Sequence, residues 1–303
     1  MLDTVTLTVP GTTANIGPGF DCLGAALTLG NQFQFSRLTT GQVLQIDVSG
    51  VEAERVGRDE DNLAYQAFVK LYQAIDQAPP AVQISIQLDV PLARGLGSSA
   101  TAIVGGLVGA NALAGSPLSR DEVMQLAIAM EGHPDNVVPA LIGGCRLSAT
   151  QGNEWTICDV VWHKSIVPVV AIPNFELSTA EARRVLPKEL SRADAIFNMA
   201  HLGLLLRGLE TGNAEWLRTA LQDRMHQPYR KALIRGYDAV EQGAIASGAY
   251  GMVISGAGPT LLALAPQEQA EAVAQAMQSC WMAEGVNPIL RILQLNTVGT
   301  VIH

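Results

Sequence analysis

The stretch Pro91-Leu92-Ala93-Arg94-Gly95-Leu96-Gly97-Ser98-Ser99-Ala100-Thr101 carries the strongest local signal in the chain. Before it, residues 82–90 alternate, with Val82, Ile84, Ile86 and Leu88 on one side and Gln83, Ser85, Gln87 and Asp89 on the other, the period of a half-buried strand. After it, a run of small residues from Ser98 to Leu113 reads as a helix. A strand that passes through glycines into a helix opened by serines leaves unpaired backbone N–H groups at the helix start, where the helix dipole favours an anion. Glycine lets the backbone come close to phosphate oxygens. The same letters also fit a tight strand-to-helix turn with serine as N-cap.

Working outward, alternation predicts strands over residues 4–9, 23–29, 33–38 and 43–48, with Pro10-Gly11 ending the first. Helical spacing runs from Asn62 to Ile75, and Pro79-Pro80 stops it. Ser119 with Glu122 forms a capping box for a helix ending near Glu131, and Ser178 with Glu181 forms a second. The polar stretch from Thr150 to Glu154 reads as a turn or linker, so the chain divides into residues 1–155 and 156–303. Beyond it come a buried strand at residues 167–172, helices as far as Ser247, two short strands around a glycine turn, a helix over 267–282 and a last strand over 289–295. Strands and helices mix in both halves, an α+β pattern in two domains.

Composition narrows the function. The 303 residues are 48% hydrophobic and 16% charged, with net charge −9 and pI about 5.0. That balance argues against a nucleic-acid partner, which calls for a basic face. No apolar run is long enough to span a bilayer. The first residues carry neither a basic region nor a continuous apolar core, so a cytoplasmic protein is expected. Cys22, Cys145, Cys158 and Cys280 form no C-x-x-C pair and read as buried fillers in a reducing compartment. The five histidines show no metal-ligand spacing, and His133 reads as a turn residue.

Two further glycine-rich stretches stand out: Pro10-Gly11-Thr12-Thr13-Ala14-Asn15-Ile16-Gly17-Pro18-Gly19-Phe20-Asp21 and Ser255-Gly256-Ala257-Gly258-Pro259-Thr260. Each alone could be a turn; three in one chain point to a shared site. The chain has no Gly-Lys, which excludes a Walker A loop. Gly95-x-Gly97-x-x-Ala100 does match a dinucleotide fingerprint by letter, but the nearest acids some 20 positions on, Asp121 and Glu122, open a helix instead of ending a strand.

Together the three stretches resemble the motifs of the GHMP kinase superfamily, in order and across nearly the whole chain. Within it, Thr13 to Gly24, the segment Glu131-Gly132-His133-Pro134-Asp135-Asn136 running on to Gly143-Gly144, and Ser178-Thr179-Ala180-Glu181-Ala182-Arg183 are similar to the homoserine kinase family. The resemblance implies an N-terminal domain like ribosomal protein S5 domain 2 and a ferredoxin-like C-terminal domain. It implies ATP and Mg²⁺, with L-homoserine phosphorylated on its hydroxyl. Pro91 to Thr101 would wrap the ATP phosphates, and Gly256 and Gly258 would shape the third loop. Ser99 and Glu131 would hold Mg²⁺, which takes hard oxygen ligands. Asn62 would either seat the nucleotide or simply cap its helix. The substrate carboxylate would meet Arg183 and Arg230, its ammonium Asp21, with Asn15 and Asn136 as polar neighbours and Thr179 near the hydroxyl. Arg184 and Arg224 would be solvated surface charges. At Asn136 related kinases carry an aspartate base; an amide cannot accept a proton, and Asp135 would point away. The resemblance is compatible with a homodimer. A mevalonate- or shikimate-type kinase and a nicotinamide-dependent dehydrogenase remain the alternatives.

Overall fold

Leu7 and Val9 are fully buried and Val5 nearly so, while Thr4 is exposed and Thr6 and Thr8 are half-buried; this alternation makes Thr4–Asn15 a strand, β1. A computed structural model describes residues 2–39, 41–152 and 154–303. Strand β1 does not end at Pro10-Gly11. It continues through a register shift between Pro10 and Thr12, because Thr12 and Thr13 find partners in Ala26 and Ala25. The two strands expected over 23–38 are likewise one, β2 (Gly19–Arg37), antiparallel to β1 from Thr4↔Ser36 to Asn15↔Gly19. A bulge interrupts the ladder locally and bends the strand, and pairing resumes beyond it.

Strands β3 (Leu44–Gly50) and β4 (Val82–Leu88) pair in parallel, joined through helix α1 (Leu63–Ala74), and β4 pairs with β2. Strands β5 (Cys145–Gln151) and β6 (Glu154–Val160) form a hairpin, and β5 pairs with β2. The stretch from Thr150 to Glu154, expected as a turn or linker, instead lies at the closed end of that hairpin, with Thr150 paired to Trp155 and Gln151 to Glu154, and the first sheet extends to Val160. Helices α2 (Ser98–Leu113), α3 (Arg120–Glu131) and α4 (Pro134–Ile142) join α1 over an apolar core of Phe33, Phe35, Ile84, Phe68 and Leu107. The capping box of α3 is formed as expected.

The second sheet has the order β10-β7-β9-β8, from β7 (Ile166–Ile172), β8 (Gly251–Ile254), β9 (Leu261–Pro266) and β10 (Ile289–Ile292), all antiparallel. Helices α9 (Tyr237–Ala246) and α10 (Ala270–Ala283) cover one face. The remaining helices are α5 (Thr179–Arg184), α6 (Arg192–Thr211), α7 (Ala214–Ala220) and the single turn α8 (Gln227–Arg230). Ser178 caps α5 by accepting from the Glu181 N–H. A shared core of Ile16, Leu23, Leu96, Val170, Leu205 and Leu262 joins the two halves, and strand β11 (Val301–Ile302) returns to β1. This is the expected two-domain α+β arrangement. All four cysteines are free; Cys145 is buried, but Cys158 is exposed on β6, where alternation turns it outward. Among the described residues no helix is long and apolar enough to cross a membrane.

Candidate active site

The chain leaves β4 and turns through left-handed backbone at Ala93, Gly95 and Gly97 before α2 begins. The N-cap is Gly97, at φ 69°, and it has no side-chain cap. A β-carbon there would stand 2.0 Å from Thr12 Oγ1. Serine is thus not the cap, and the first-turn N–H groups of a sixteen-residue helix stay available to an anion. Buried Asn31, which sequence reasoning passed over, pins this turn from both sides. Its Oδ1 accepts from the N–H groups of Asp89 and Val90, each at 2.9 Å, and its Nδ2 donates to Thr101 Oγ1 at 2.8 Å.

The expectation for Arg94 concerns its backbone N–H; its side chain is held by neighbouring carboxylates and a carbonyl. Its Nη2 donates to Glu52 Oε1 at 3.1 Å, its Nε to the Pro173 carbonyl at 3.1 Å, and its Nη1 lies 3.1 Å from Glu176. Glu52 Oε2 also accepts from Leu92 N–H at 2.8 Å, and Arg55 joins Glu176. The third loop, the β8–β9 turn, leans on the same backbone: Ser255 Oγ donates to Gly95 O at 2.6 Å and Thr260 N–H to Arg94 O at 3.2 Å. The first loop joins them, with Asn15 Nδ2 donating to Gly256 O at 2.8 Å.

The three loops surround a cavity of about 330 Å³. At one wall Ser99 Oγ donates to Glu131 Oε1 at 2.7 Å. Burial raises the Glu131 carboxyl above its ordinary range, and the Ser99 hydrogen bond only partly opposes it. Among the described residues no group of three His, Cys, Asp or Glu is placed to hold a metal. Two hard oxygen donors beside a helix start with free N–H groups fit an ion that completes its shell with anionic oxygens and water.

Next along the wall, His133 Nδ1 and Asp135 Oδ1 are 2.7 Å apart, and this hydrogen bond raises the imidazole pKa. Asp135 does not point away: it lines the cavity with Asn136, whose Nδ2 donates to Asp135 Oδ1 at 3.3 Å. Helix α4 reaches this place because Gly24 has no β-carbon, which would fall 1.6 Å from Asp135 O. Asn136 Oδ1 accepts from Thr12 at 2.7 Å, so its amide is turned with the NH₂ side away from β1.

At the far end Arg183 donates to both oxygens of Asp21, at 3.0 and 2.9 Å. Asp21 N–H in turn donates to Asn15 Oδ1 at 2.9 Å. Arg230 is only 2% exposed, and burial, with Arg183 nearby, lowers its pKa to about 10. It donates to the carbonyls of Ala182 and Gly256, both at 3.1 Å, and its guanidinium stands 5.1 Å over the Phe20 ring. Behind it lies fully buried His226, whose Nε2 meets Gly17 O at 2.9 Å and whose Nδ1 faces Arg230 Nη1 at 3.4 Å. The carbonyl requires the proton on Nε2, so Nδ1 presents its lone pair to the arginine. Asp223 holds this turn by accepting from the N–H groups of Met225, His226 and Gln227. Thr179 opens α5 on the same cavity. Arg184 is exposed, as expected, and Arg224 stands over Phe197 at the surface.

A second cavity of about 260 Å³, largely apolar, meets the first at Ala93, Ser98 and Ser99. Val56, Leu63, Ile86 and Leu88 line it, with Asn62 at its edge. Asn62 caps α1, accepting from Ala64 and Tyr65 N–H.

The family models for the GHMP kinases N terminal domain and the GHMP kinases C terminal domain match residues 62–144 and 205–282. Homoserine kinase from Trichormus variabilis is 70% identical over 299 residues, covering 99% of both chains. The chain belongs to the homoserine kinase family. A second homoserine kinase, from Nostoc punctiforme, is also 70% identical, over 99% of this chain and 98% of its own. The crystal structure of homoserine kinase from Cytophaga hutchinsonii superposes with a TM-score of 0.89 at 27% identity, covering 100% of this chain and 98% of that one. Membership in the homoserine kinase family removes the dehydrogenase reading of Gly95-x-Gly97-x-x-Ala100; Asp121 and Glu122 indeed lie in the first turn of α3.

Proposed function

We propose that the protein transfers the γ-phosphoryl group of ATP to the side-chain hydroxyl of L-homoserine, giving ADP and O-phospho-L-homoserine on the way to threonine. One observation carries the reading. An anion-ready helix start and a set of charges matching a zwitterion open on the same cavity.

In this reading the first-turn N–H groups of α2 and the backbone from Pro91 to Thr101 hold the triphosphate. The adenine base enters the apolar cavity beside Asn62, where a flat ring replaces water. Ser99 and Glu131 would hold Mg²⁺, which when bound would neutralise charge on the phosphate oxygens. Arg183 and Arg230 take the substrate carboxylate, since a planar fork suits that group. Asp21 takes the ammonium, and Asn15 fixes Asp21.

Asn136 directs its NH₂ at the substrate hydroxyl from one side, and Thr179 closes from the other. The amide oxygen is already used by Thr12, and an amide removes no proton. A loose phosphoryl-transfer transition state needs positioning and charge neutralisation above all. The hydroxyl proton therefore leaves late, to a phosphate oxygen.

Residues 1–155 supply the nucleotide site and the substrate residues Asn15, Asp21 and Asn136, and residues 156–303 close on substrate with Thr179, Arg183 and Arg230, although β6 runs past that boundary to Val160 within the first sheet. The same proposal places the protein in the cytoplasm, with a homodimer as the assembly to test by light scattering. Incubation with ATP, Mg²⁺ and L-homoserine should produce ADP and a phosphomonoester whose phosphorus couples to two methylene protons in the ³¹P spectrum. Release of inorganic phosphate alone would overturn the proposal.

A further inference from the structure

Two side chains assigned to opposite ends of the substrate hold each other. Arg183 grips Asp21 through both terminal guanidinium nitrogens, at 3.0 and 2.9 Å, across 162 residues of sequence. Asp21 stands near the start of β2 and Arg183 on α5, so the pair also ties the two halves. The side chains are 38% and 35% exposed, wet enough for the fork to open. Arg230 behind them is buried, and among the described residues no carboxylate forms an ion pair with it.

We propose that the Asp21–Arg183 ion pair is an internal stand-in for the substrate's two charges, opening only to a ligand that carries both an ammonium and a carboxylate. The inference rests on the reading of this cavity as the homoserine site, and it makes the pair a selector of amino acids over hydroxy acids and amino alcohols.

The charges decide it. A zwitterion replaces one ion pair with two, so nothing is left bare. A hydroxy acid that takes Arg183 leaves the Asp21 carboxylate without a partner and facing a second carboxylate. An amino alcohol finds Asp21 already neutralised and must enter beside two guanidinium groups. Rejection of the half-ligands is thus built from an unpaired charge as well as from a missing contact. Like charges about 5 Å apart in a part-solvated site repel strongly enough for effects of tenfold or more.

The pair can be tested by gain of binding, which loss of structure cannot mimic. L-Homoserine, 4-hydroxybutanoate and 3-aminopropan-1-ol are titrated calorimetrically into wild type, Asp21→Asn and Arg183→Gln. Asp21→Asn should bind L-homoserine at least 30-fold more weakly yet bind 4-hydroxybutanoate about tenfold more tightly than wild type does. Arg183→Gln should show the mirror image, with 3-aminopropan-1-ol tightened about tenfold. A measurement on wild type alone covers variants that fail to fold. At equal ionic strength, 4-hydroxybutanoate should bind more tightly in ammonium chloride than in sodium chloride, because ammonium supplies the missing charge. If neither half-ligand gains in its variant, or if the two salts give the same affinity, the selector does not exist. Phosphorylation of L-homoserine is scored on the same wild-type preparation. Its absence counts against the homoserine reading itself, whereas activity without any gain of binding counts against the pair alone.

Discussion

Replacing Arg230 by methionine should separate function from stability. The side chain is 2% exposed, and burial followed by repulsion from Arg183 brings its pKa from the ordinary arginine range down to about 10. A displacement of that size means roughly 3 kcal/mol against keeping the charge in the fold. The guanidinium recovers about 1 kcal/mol from each of its hydrogen bonds to Ala182, Gly256 and His226. The two contributions nearly cancel, and methionine fills much of the same volume. Arg230→Met should therefore change unfolding free energy by no more than about 2 kcal/mol, or about 4 °C in Tm for a chain of this size. Homoserine loses a buried partner for its carboxylate, which costs about 2–5 kcal/mol, so kcat/KM for homoserine should fall roughly 30-fold or more. The ATP KM should stay within about threefold, because none of Arg230's hydrogen bonds reaches α2. Thermal unfolding and steady-state kinetics on the same preparations check both halves. A Tm lowered by more than about 10 °C with the homoserine KM unchanged would refute the reasoning, since Arg230 would then be a structural strut.

Three further outcomes follow from the geometry. Ser99→Ala and Glu131→Gln should each lower Mg²⁺-dependent turnover about a hundredfold, the loss of about 3 kcal/mol of electrostatic stabilisation, with little change in Tm; full turnover of Glu131→Gln at limiting Mg²⁺ would remove it from the metal site. Glu52→Gln weakens the grip on Leu92 N–H and Arg94, so the ATP KM should rise about 5- to 30-fold, and an unchanged value in initial-rate measurements would show that the phosphate loop holds its shape without it. Burial lowers the His226 pKa below 6.5: below pH 6.5 the unfolded chain binds a proton that the folded chain refuses, so this contribution is complete above pH 6.5 and lost as pH falls. Unfolding free energy between pH 7 and pH 5 should accordingly decline less steeply in His226→Gln than in wild type, and equal slopes would contradict the assignment.

What was legible in the sequence was local. The alternation of Val82, Ile84, Ile86 and Leu88 names β4, Ser119 with Glu122 names the start of α3, and both are satisfied within a few residues of chain. Pro10-Gly11 misled because continuation of β1 depends on partners in β2 more than a dozen residues away. Gly97, not a serine, caps α2 because Thr12 closes against it from another strand. The residues expected at the site do gather at one cavity, including Asn15, Asp21, Glu131, Asn136, Thr179, Arg183 and Arg230. Their pairings were not readable. Thr12 with Asn136, Asn31 with Thr101 and Asp21 with Arg183 are 124, 70 and 162 residues apart, and no periodicity links them. Arg94 sits in the right loop by sequence, but only the fold brings Glu52 and Glu176 to claim it. The apolar pocket beside Asn62 draws Leu88, Val56 and Leu63 from three separate segments, each of which reads simply as core.

The central claim is that this cavity joins an ATP phosphate site to a site for one particular zwitterionic alcohol. ADP release measured side by side with L-homoserine, mevalonate, shikimate and galactose, at matched ATP and Mg²⁺, tests it most directly. The account predicts a kcat/KM for L-homoserine at least a hundredfold above the other three, since each lacks the ammonium that Asp21 awaits and a missing charged partner costs about 3 kcal/mol or more. Equal or faster ADP release with mevalonate or shikimate would contradict it.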